Sequence, residues 1–384
     1  MLNKKTKRTL KKIITGVCAV LISVPLATLA GKNAETLAVV WDSERELAVQ
    51  KGSATLAMNA SALLLYKPSD IPGEIIREAL PPVELNLNDD DAFNQPSAQV
   101  LSKNITDIRE EPPTFNTNNG KIVKTTFKPN GGGGFINLDL GGQVRNATEI
   151  SNSVMLAESR KLPEFSLELN GEPEVLILHT HTTEAFQPDK YDFFDTSYHS
   201  RSLDSSKNIV AVGAEIAKSF AEAGITVIHD GTVHDHPHFT GAYARSAETV
   251  RQILKAYPSI KVVLDVHRDA IDGKDGSRIA PVTNVGGRDA AQIMLISAAD
   301  DGNWNVPEFM QNFRLASLFQ QQMEHDNEGI TRAVLFQYCQ YNQQLSTGSL
   351  LLEVGSHANT LAEAKYAGQL VGRSMAAALL QLTV

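Results

Sequence analysis

Three short polar clusters in this sequence hold residue types that bind metals and move protons. They are His179-Thr180-His181-Thr182-Thr183-Glu184, Asp265-Val266-His267-Arg268-Asp269 and Glu353-Val354-Gly355. Zinc takes imidazole nitrogen and carboxylate oxygen, and a catalytic zinc keeps three protein ligands while leaving one position for water. In an extended chain, residues two apart point the same way, so His179 and His181 are expected to face one site together. His267 adds a ligand from a neighbouring segment. Asp265, on the same face as His267, is placed to accept from its ring and fix it. A carboxylate outside the ligand set, Glu353, would take a proton from a metal-activated water as that water attacks a polarised amide carbonyl.

Other chemistries fit less well. No HExxH segment is present, which disfavours a thermolysin-like protease. His267-Arg268-Asp269 matches the start of a kinase catalytic loop, but Lys274 stands where asparagine is required and no DFG follows. His234-Asp235-His236-Pro237-His238 repeats histidine at every second residue, yet Pro237 and the surrounding Gly and Asp indicate a surface loop. Cys339, with His325 and His357 in the sequence around it, is read as a buried structural thiol. No GxSxG elbow supports a serine hydrolase.

The clusters follow or close short β-rich runs at 175–178, 262–266 and 350–354, and further runs lie at 225–228 and 292–297. Between the runs are amphipathic stretches at 208–223, 244–257, 308–326 and 360–382. In the first, Val212, Ile216 and Phe220 recur at helical spacing and Gly224 is placed to end the helix. Thr360 and Glu363 form a capping-box start for the last. Strands alternating with helices predict an α/β layer fold with a largely parallel sheet, here over residues 140–384. Functional groups of such sheets gather beyond the carboxyl ends of the strands, so the three clusters should meet at one edge.

The first 140 residues differ in texture. Residues 1–12 carry six Lys and Arg and no acid, and residues 13–30 carry no charge. A basic stretch before an apolar run predicts an export signal or a single-pass anchor in the cytoplasmic membrane, over residues 1–30. The basic end would stay inside and the rest of the chain outside. Residues 31–66 form a short segment with a helix expected between Glu44 and Tyr66. Residues 67–134, rich in Pro, with acids at 89–91 and four glycines at 131–134, read as a flexible spacer. Beyond residue 12 the chain has 29 basic against 44 acidic residues, a balance that argues against nucleic-acid binding. Cys18 and Cys339 give no disulfide framework.

The segments VLILHTHTTEAF (175–186), HSRSLDSSKNIVAVG (199–213), HDHPHFTGAYARS (234–246), VVLDVHRDAI (262–271), YNQQLS (341–346) and LLLEVGSHANTLAEA (350–364) occur in the order of a known family. Through them the chain resembles the stage II sporulation protein P family of endospore-forming bacteria. The resemblance implies a three-layer α/β/α sandwich, similar to zinc N-acetylmuramoyl-L-alanine amidases. It implies cleavage of the amide between N-acetylmuramic acid and L-alanine in peptidoglycan, and an additional endopeptidase activity on peptide cross-links. It also implies a place in sporulation, during engulfment, with a lytic transglycosylase and a membrane scaffold as partners. Carried over by motif, a first-cluster histidine and His267 look like Zn2+ ligands, with His179 favoured over His181 because it comes first after the strand. The third ligand is left open between Glu184 and His199, and Glu353 looks like the catalytic glutamate. Arg268 either pairs with a substrate carboxylate or holds Asp269 or Glu353 in place. The family's last motif has a second glycine after Gly355, where this chain has Ser356 and His357. The rival functions are a non-catalytic wall-binding or scaffold protein on the same fold, and an envelope zinc carboxypeptidase or deacetylase.

Overall fold

The apolar runs become buried strands in the computed structural model, which describes residues 98–383. In chain order the strands are β1 (Val100–Lys103), β2 (Gly120–Thr125), β3 (Phe135–Asn137), β4 (Gln143–Asn146), β5 (Val175–Leu178), β6 (Phe193–Phe194) and β7 (Val227–Asp230). They continue as β8 (Val262–Asp269), β9 (Arg278–Val285), β10 (Arg288–Ala291), β11 (Ile293–Ala299), β12 (Val334–Tyr338) and β13 (Ser349–Ser356). The helices are α1 (Asn152–Glu158), α2 (Ile209–Glu222), α3 (Ala242–Ala256), α4 (Phe309–Asp326) and α5 (Leu361–Leu380).

Nine strands form one sheet in the order β1-β7-β5-β8-β13-β11-β12-β4-β3. The first five run parallel. At β13 the direction reverses: β11 is antiparallel to it, and β12 and β4 run with β11. The α/β fold is therefore built on a mixed sheet of two parallel blocks, with β3 antiparallel to β4 at the edge. A short apolar run such as 292–297 records burial but not direction, so the reversal leaves no trace in the pattern. A second sheet, β10-β9-β2-β6, lies in the same part of the chain. Its β9–β10 hairpin turns on Gly286 and Gly287, both at positive φ, as the primed hairpin turns require.

Alternation along the strands assigns the faces. Val175, Ile177, Val262, Leu264, Val266, Leu350 and Leu352 pack with Phe220 of α2, Phe313 of α4 and Met375 of α5. Leu176, Leu178, Ile228 and Val263 pack on the other face with Val250 and Ile253 of α3. Each such aliphatic side chain contributes roughly 1.5–3 kcal/mol by leaving water. By the same alternation, Asp265, His267 and Glu353 point to the α3 face. The two caps read from sequence are present. Gly224 follows α2 at φ 87°, and Thr360 and Glu363 close a reciprocal capping box on α5.

The expected spacer ends earlier than residue 134. Residues 67–97, the apolar run and the helix expected between Glu44 and Tyr66 lie outside the described residues. From residue 98 the chain is docked on the domain: β1 is the edge strand beside β7, and β2 pairs with β9. Val100, Leu101, Phe115 and Ile122 pack on the domain alongside the backbone and polar contacts, but they are too scattered to show as an apolar periodicity. Among the described residues, no helix is long and apolar enough to cross a membrane.

One buried carboxylate straps this segment down. Asp204 accepts from the Glu110 N–H at 3.1 Å and from the Ser206 N–H and hydroxyl at 3.0 and 2.6 Å. Burial works against its charge, but these hydrogen bonds and Lys207 outweigh it and bring the carboxyl down to about 2. A carboxylate with a lowered pKa stabilises the fold above its unfolded value and loses that contribution as pH falls. Asp204→Asn is therefore expected to cost roughly 1–3 kcal/mol near neutrality. Thermal melts of both proteins should converge as the pH drops from about 4 towards 2; a gap that stays constant with pH would refute the carboxylate's role.

Candidate active site

Strands β8 and β13 lie side by side with Glu353 opposite His267, both directed to the α3 face. This sets an imidazole and a carboxylate next to each other near the carboxyl ends of the parallel strands. Glu353 Oε2 is buried and has no hydrogen-bond partner. Burial, helped by the negative charge of Asp269, pushes the Glu353 carboxyl up to about 8.

The first cluster reaches this place by a turn. Strand β5 ends at Leu178, and residues 180–183 turn sharply. Asp265 holds that turn by accepting from the Thr180 N–H at 2.7 Å and from its hydroxyl at 2.6 Å. The turn swings His181 to the α3 face, where its ring stacks on Phe239 at 4.4 Å and meets His267 edge-on at 5.3 Å between centroids. His181 Nδ1 is buried without a partner. Glu184 follows in the same loop, with Oε2 3.5 Å from His267 Nδ1 and accepting from the Arg268 N–H at 3.1 Å.

His267 thus lies between two carboxylates. Its Nε2 is 2.9 Å from Asp265 Oδ1, though off the line of a good hydrogen bond. Burial opposes a charge on this ring, but Asp265 and Glu184 outweigh it and raise its pKa well above the ordinary histidine value. Burial also opposes the charge of Glu184, which His267 and Arg268 nevertheless hold well below the usual carboxylate range. The site favours positive charge at its centre.

His179 is not part of it. The expectation that His179 and His181 face one site fails because extended backbone stops at Leu178. His179 keeps the strand's alternation and points to the opposite face, under α2. There its Nδ1 is 2.8 Å from the Val266 carbonyl and its Nε2 is 3.1 Å from His229 Nε2. Burial takes the pKa of His179 down to about 4 and that of His229 to about 3. Gly213 in α2 makes room for the pair, since a Cβ there would sit 2.6 Å from His179 Cε1 and 2.8 Å from His229 Nε2. Alanine is a better helix former than glycine by about 1 kcal/mol, whereas overpacking a closed core costs about 1–3 kcal/mol. Gly213→Ala should therefore lower stability by up to about 2 kcal/mol. A denaturation midpoint equal to or above the wild type would mean that the histidine pair yields.

The remaining candidates divide in the same way. His199 is exposed on the loop before α2. Arg268 donates to the carbonyls of Ala185 at 3.0 Å and Ser200 at 3.1 Å, and more weakly to its neighbour Asp269 at 3.4 Å. Its guanidinium is therefore spent on holding the site loops. Asp269 accepts from Arg332 at 2.8 Å. The departure after Gly355 is structural: the Ser356 hydroxyl donates to the Ile279 carbonyl at 2.6 Å, and the His357 N–H donates to the Asp269 carbonyl at 2.9 Å. His234 is occupied by the His179 carbonyl and Thr249. Cys339 is buried, and burial pushes its thiol pKa far up. Sequence reasoning missed Phe239, Tyr243 and Arg332. Tyr243 lies over His267 at 6.4 Å and beside Tyr341 at 5.4 Å, and no spacing rule would have singled it out.

Among the described residues, no group of three or more His, Cys, Asp or Glu side chains is gathered as a ready metal cage. The donors nevertheless fit one. Bonds of about 2.0–2.1 Å at a tetrahedral zinc put neighbouring ligand atoms about 3.3 Å apart, and His267 Nδ1 stands 3.5 Å from Glu184 Oε2. The buried, partnerless Nδ1 of His181 is a third donor on the same face, and Asp265 backs the far nitrogen of His267.

Comparison with known proteins adds three findings. A sequence model described as Stage II sporulation protein P (SpoIIP) matches residues 76–376. Stage II sporulation protein P of Bacillus subtilis (strain 168) is 26% identical over 200 residues, covering 49% of this chain and 47% of that one. The chain thus aligns with about half the length of that relative. Among solved structures, N-acetylmuramoyl-L-alanine amidase AmiC2 of Nostoc punctiforme shares 11% identity at a TM-score of 0.34, over 55% of this chain and 97% of that one. The CwlD amidase from Clostridioides difficile, in complex with the GerS lipoprotein, shares 12% at a TM-score of 0.33, over 54% and 94%. Likeness at these scores leaves the chemistry to be argued from the residues.

Proposed function

The chain belongs to the stage II sporulation protein P family, and on that premise we propose that it is a zinc-dependent amidase of peptidoglycan acting in sporulation. Its bond would be the amide between N-acetylmuramic acid and L-alanine, with peptide cross-links as a second target. The observation that carries the reading is the pairing of Glu353 with His267 on adjacent strands. The free carboxylate oxygen of Glu353 is buried on the same face as His181 and Glu184.

In this reading His181, Glu184 and His267 hold the metal. Zinc bound there would polarise the scissile carbonyl and make water a better nucleophile at neutral pH. With its carboxyl ionised, as the positive charge of a bound metal would favour, Glu353 takes the proton of the attacking water and passes it to the leaving amine nitrogen. Asp265 lies against the far nitrogen of His267 and holds, through Thr180, the turn that presents His181. Arg268 holds the backbone around Ala185 and so keeps Glu184 in position. Phe239 and Tyr243 wall the site on the α3 side.

The proposal extends to the rest of the chain: residues 13–30 anchor it in the cytoplasmic membrane, with the catalytic domain outside. A lytic transglycosylase and a membrane scaffold would be its partners during engulfment. The test is product analysis on purified peptidoglycan with the zinc-loaded full-length chain. An amidase releases whole stem peptides from the glycan. Trimmed peptides or free acetate would instead identify a carboxypeptidase or a deacetylase, and binding without any product would identify a wall-binding protein.

A further inference from the structure

The row of residues that begins with His267 and Glu353 continues across the sheet. Met294 of β11 is opposite Glu353. The bridge between Thr331 and Ile293 then sets Arg332 beside Met294 on the same face. With strands about 4.8 Å apart, the Arg332 backbone is about 10 Å from that of Glu353.

Arg332 is in an unusual state. Its side chain is only 10% exposed, and one nitrogen, Nη1, is held by Asp269 at 2.8 Å. Nε and Nη2 are buried and have no hydrogen-bond partner. Unpaired buried donors on a charged group are costly, and proteins seldom keep them without use. These two atoms form one edge of the guanidinium, the edge whose parallel N–H bonds match the two oxygens of a carboxylate. The other buried arginine of the site, Arg268, has its donors on backbone carbonyls. Asp269 holds Arg332 from behind and the Phe127 ring centroid lies 5.9 Å from the guanidinium carbon, so the unpaired edge is oriented in advance.

We propose that the Nε–Nη2 edge of Arg332 binds a carboxylate on the peptide part of the substrate, making Arg332 the residue that selects acidic stem peptides. This rests on the amidase reading of the same site. The peptide would lie along the row, with its scissile amide over Glu353 and its carboxylate about two strand spacings away. The contact forms before the reaction and persists through it, so it governs binding more than turnover.

The test is calorimetric binding of two muropeptides to the full-length chain, one with free stem-peptide carboxyls and one with those carboxyls amidated. Wild type should bind the free acid about 10- to 100-fold more tightly, the worth of a charge-assisted, two-point hydrogen bond. Arg332→Gln should lose that preference while binding the amidated ligand as before. Arg332→Lys keeps the charge without the fork and should retain only part of it. In turnover, KM for the acid should rise and kcat should hold. Equal binding of both ligands by wild type overturns the proposal and leaves the amidase reading standing. Binding of neither overturns both. If Arg332→Gln does not fold, the wild-type comparison and Arg332→Lys still decide.

Discussion

Replacing Glu353 by glutamine is expected to lower peptidoglycan cleavage by about 10²- to 10⁴-fold, the usual worth of a positioned general base. Zinc content should not change, because Glu353 is not in the proposed ligand set. The substitution isolates the proton. Glutamine keeps the volume of the side chain in β13, whose neighbours Leu352 and Val354 pack in the core on the opposite face, and it keeps a carbonyl oxygen where the carboxylate was. It cannot take a proton from water. The fold should be no less stable, since the buried carboxyl already bears the cost of burial that pushes it up to about 8, and an amide carries no charge to bury. Loss of activity with unchanged zinc and an equal or higher melting temperature is therefore the expected pattern. A variant that retains more than about a tenth of the wild-type rate would remove Glu353 from the chemistry, since a general base is worth at least about a hundredfold.

Much of this site can be traced in the sequence, and the parts that cannot have identifiable causes. Residues 175–178 match β5 end to end, and the run at 262–266 is the start of β8. Local rules sufficed there, because a buried parallel strand is a short apolar block and its last polar residues fall at the sheet edge. Thr360 and Glu363 show the same for a helix start, where both partners of the cap lie within four residues. The direction of β11 is set by which neighbour it meets, and that information is not local. The docking of residues 98–134 depends on Asp204 and on strands far along the chain. Arg332 enters the site through a bridge to Ile293 that no spacing announces.

The two histidines of the first cluster separate this local information from the tertiary kind, and they give the second large effect. His181→Ala is expected to cost zinc affinity by more than the about 10- to 100-fold typical of outer partners, and to abolish cleavage with it. His179→Ala should keep zinc and lose stability by roughly 2–4 kcal/mol, because it opens a cavity and strips partners from His229 and the Val266 carbonyl. Strand alternation alone treats the two residues as equivalent. What distinguishes them is the carboxylate of Asp265, 85 residues away from Thr180 in the chain, which captures both the N–H and the hydroxyl of that threonine. The turn this enforces sends one histidine under α2 and the other towards His267. Asp265→Asn should therefore weaken zinc binding as well, through the turn and through the ring of His267 together. Metal analysis of folded His179→Ala and His181→Ala proteins decides the matter: zinc lost from the first and kept by the second would reverse the assignment.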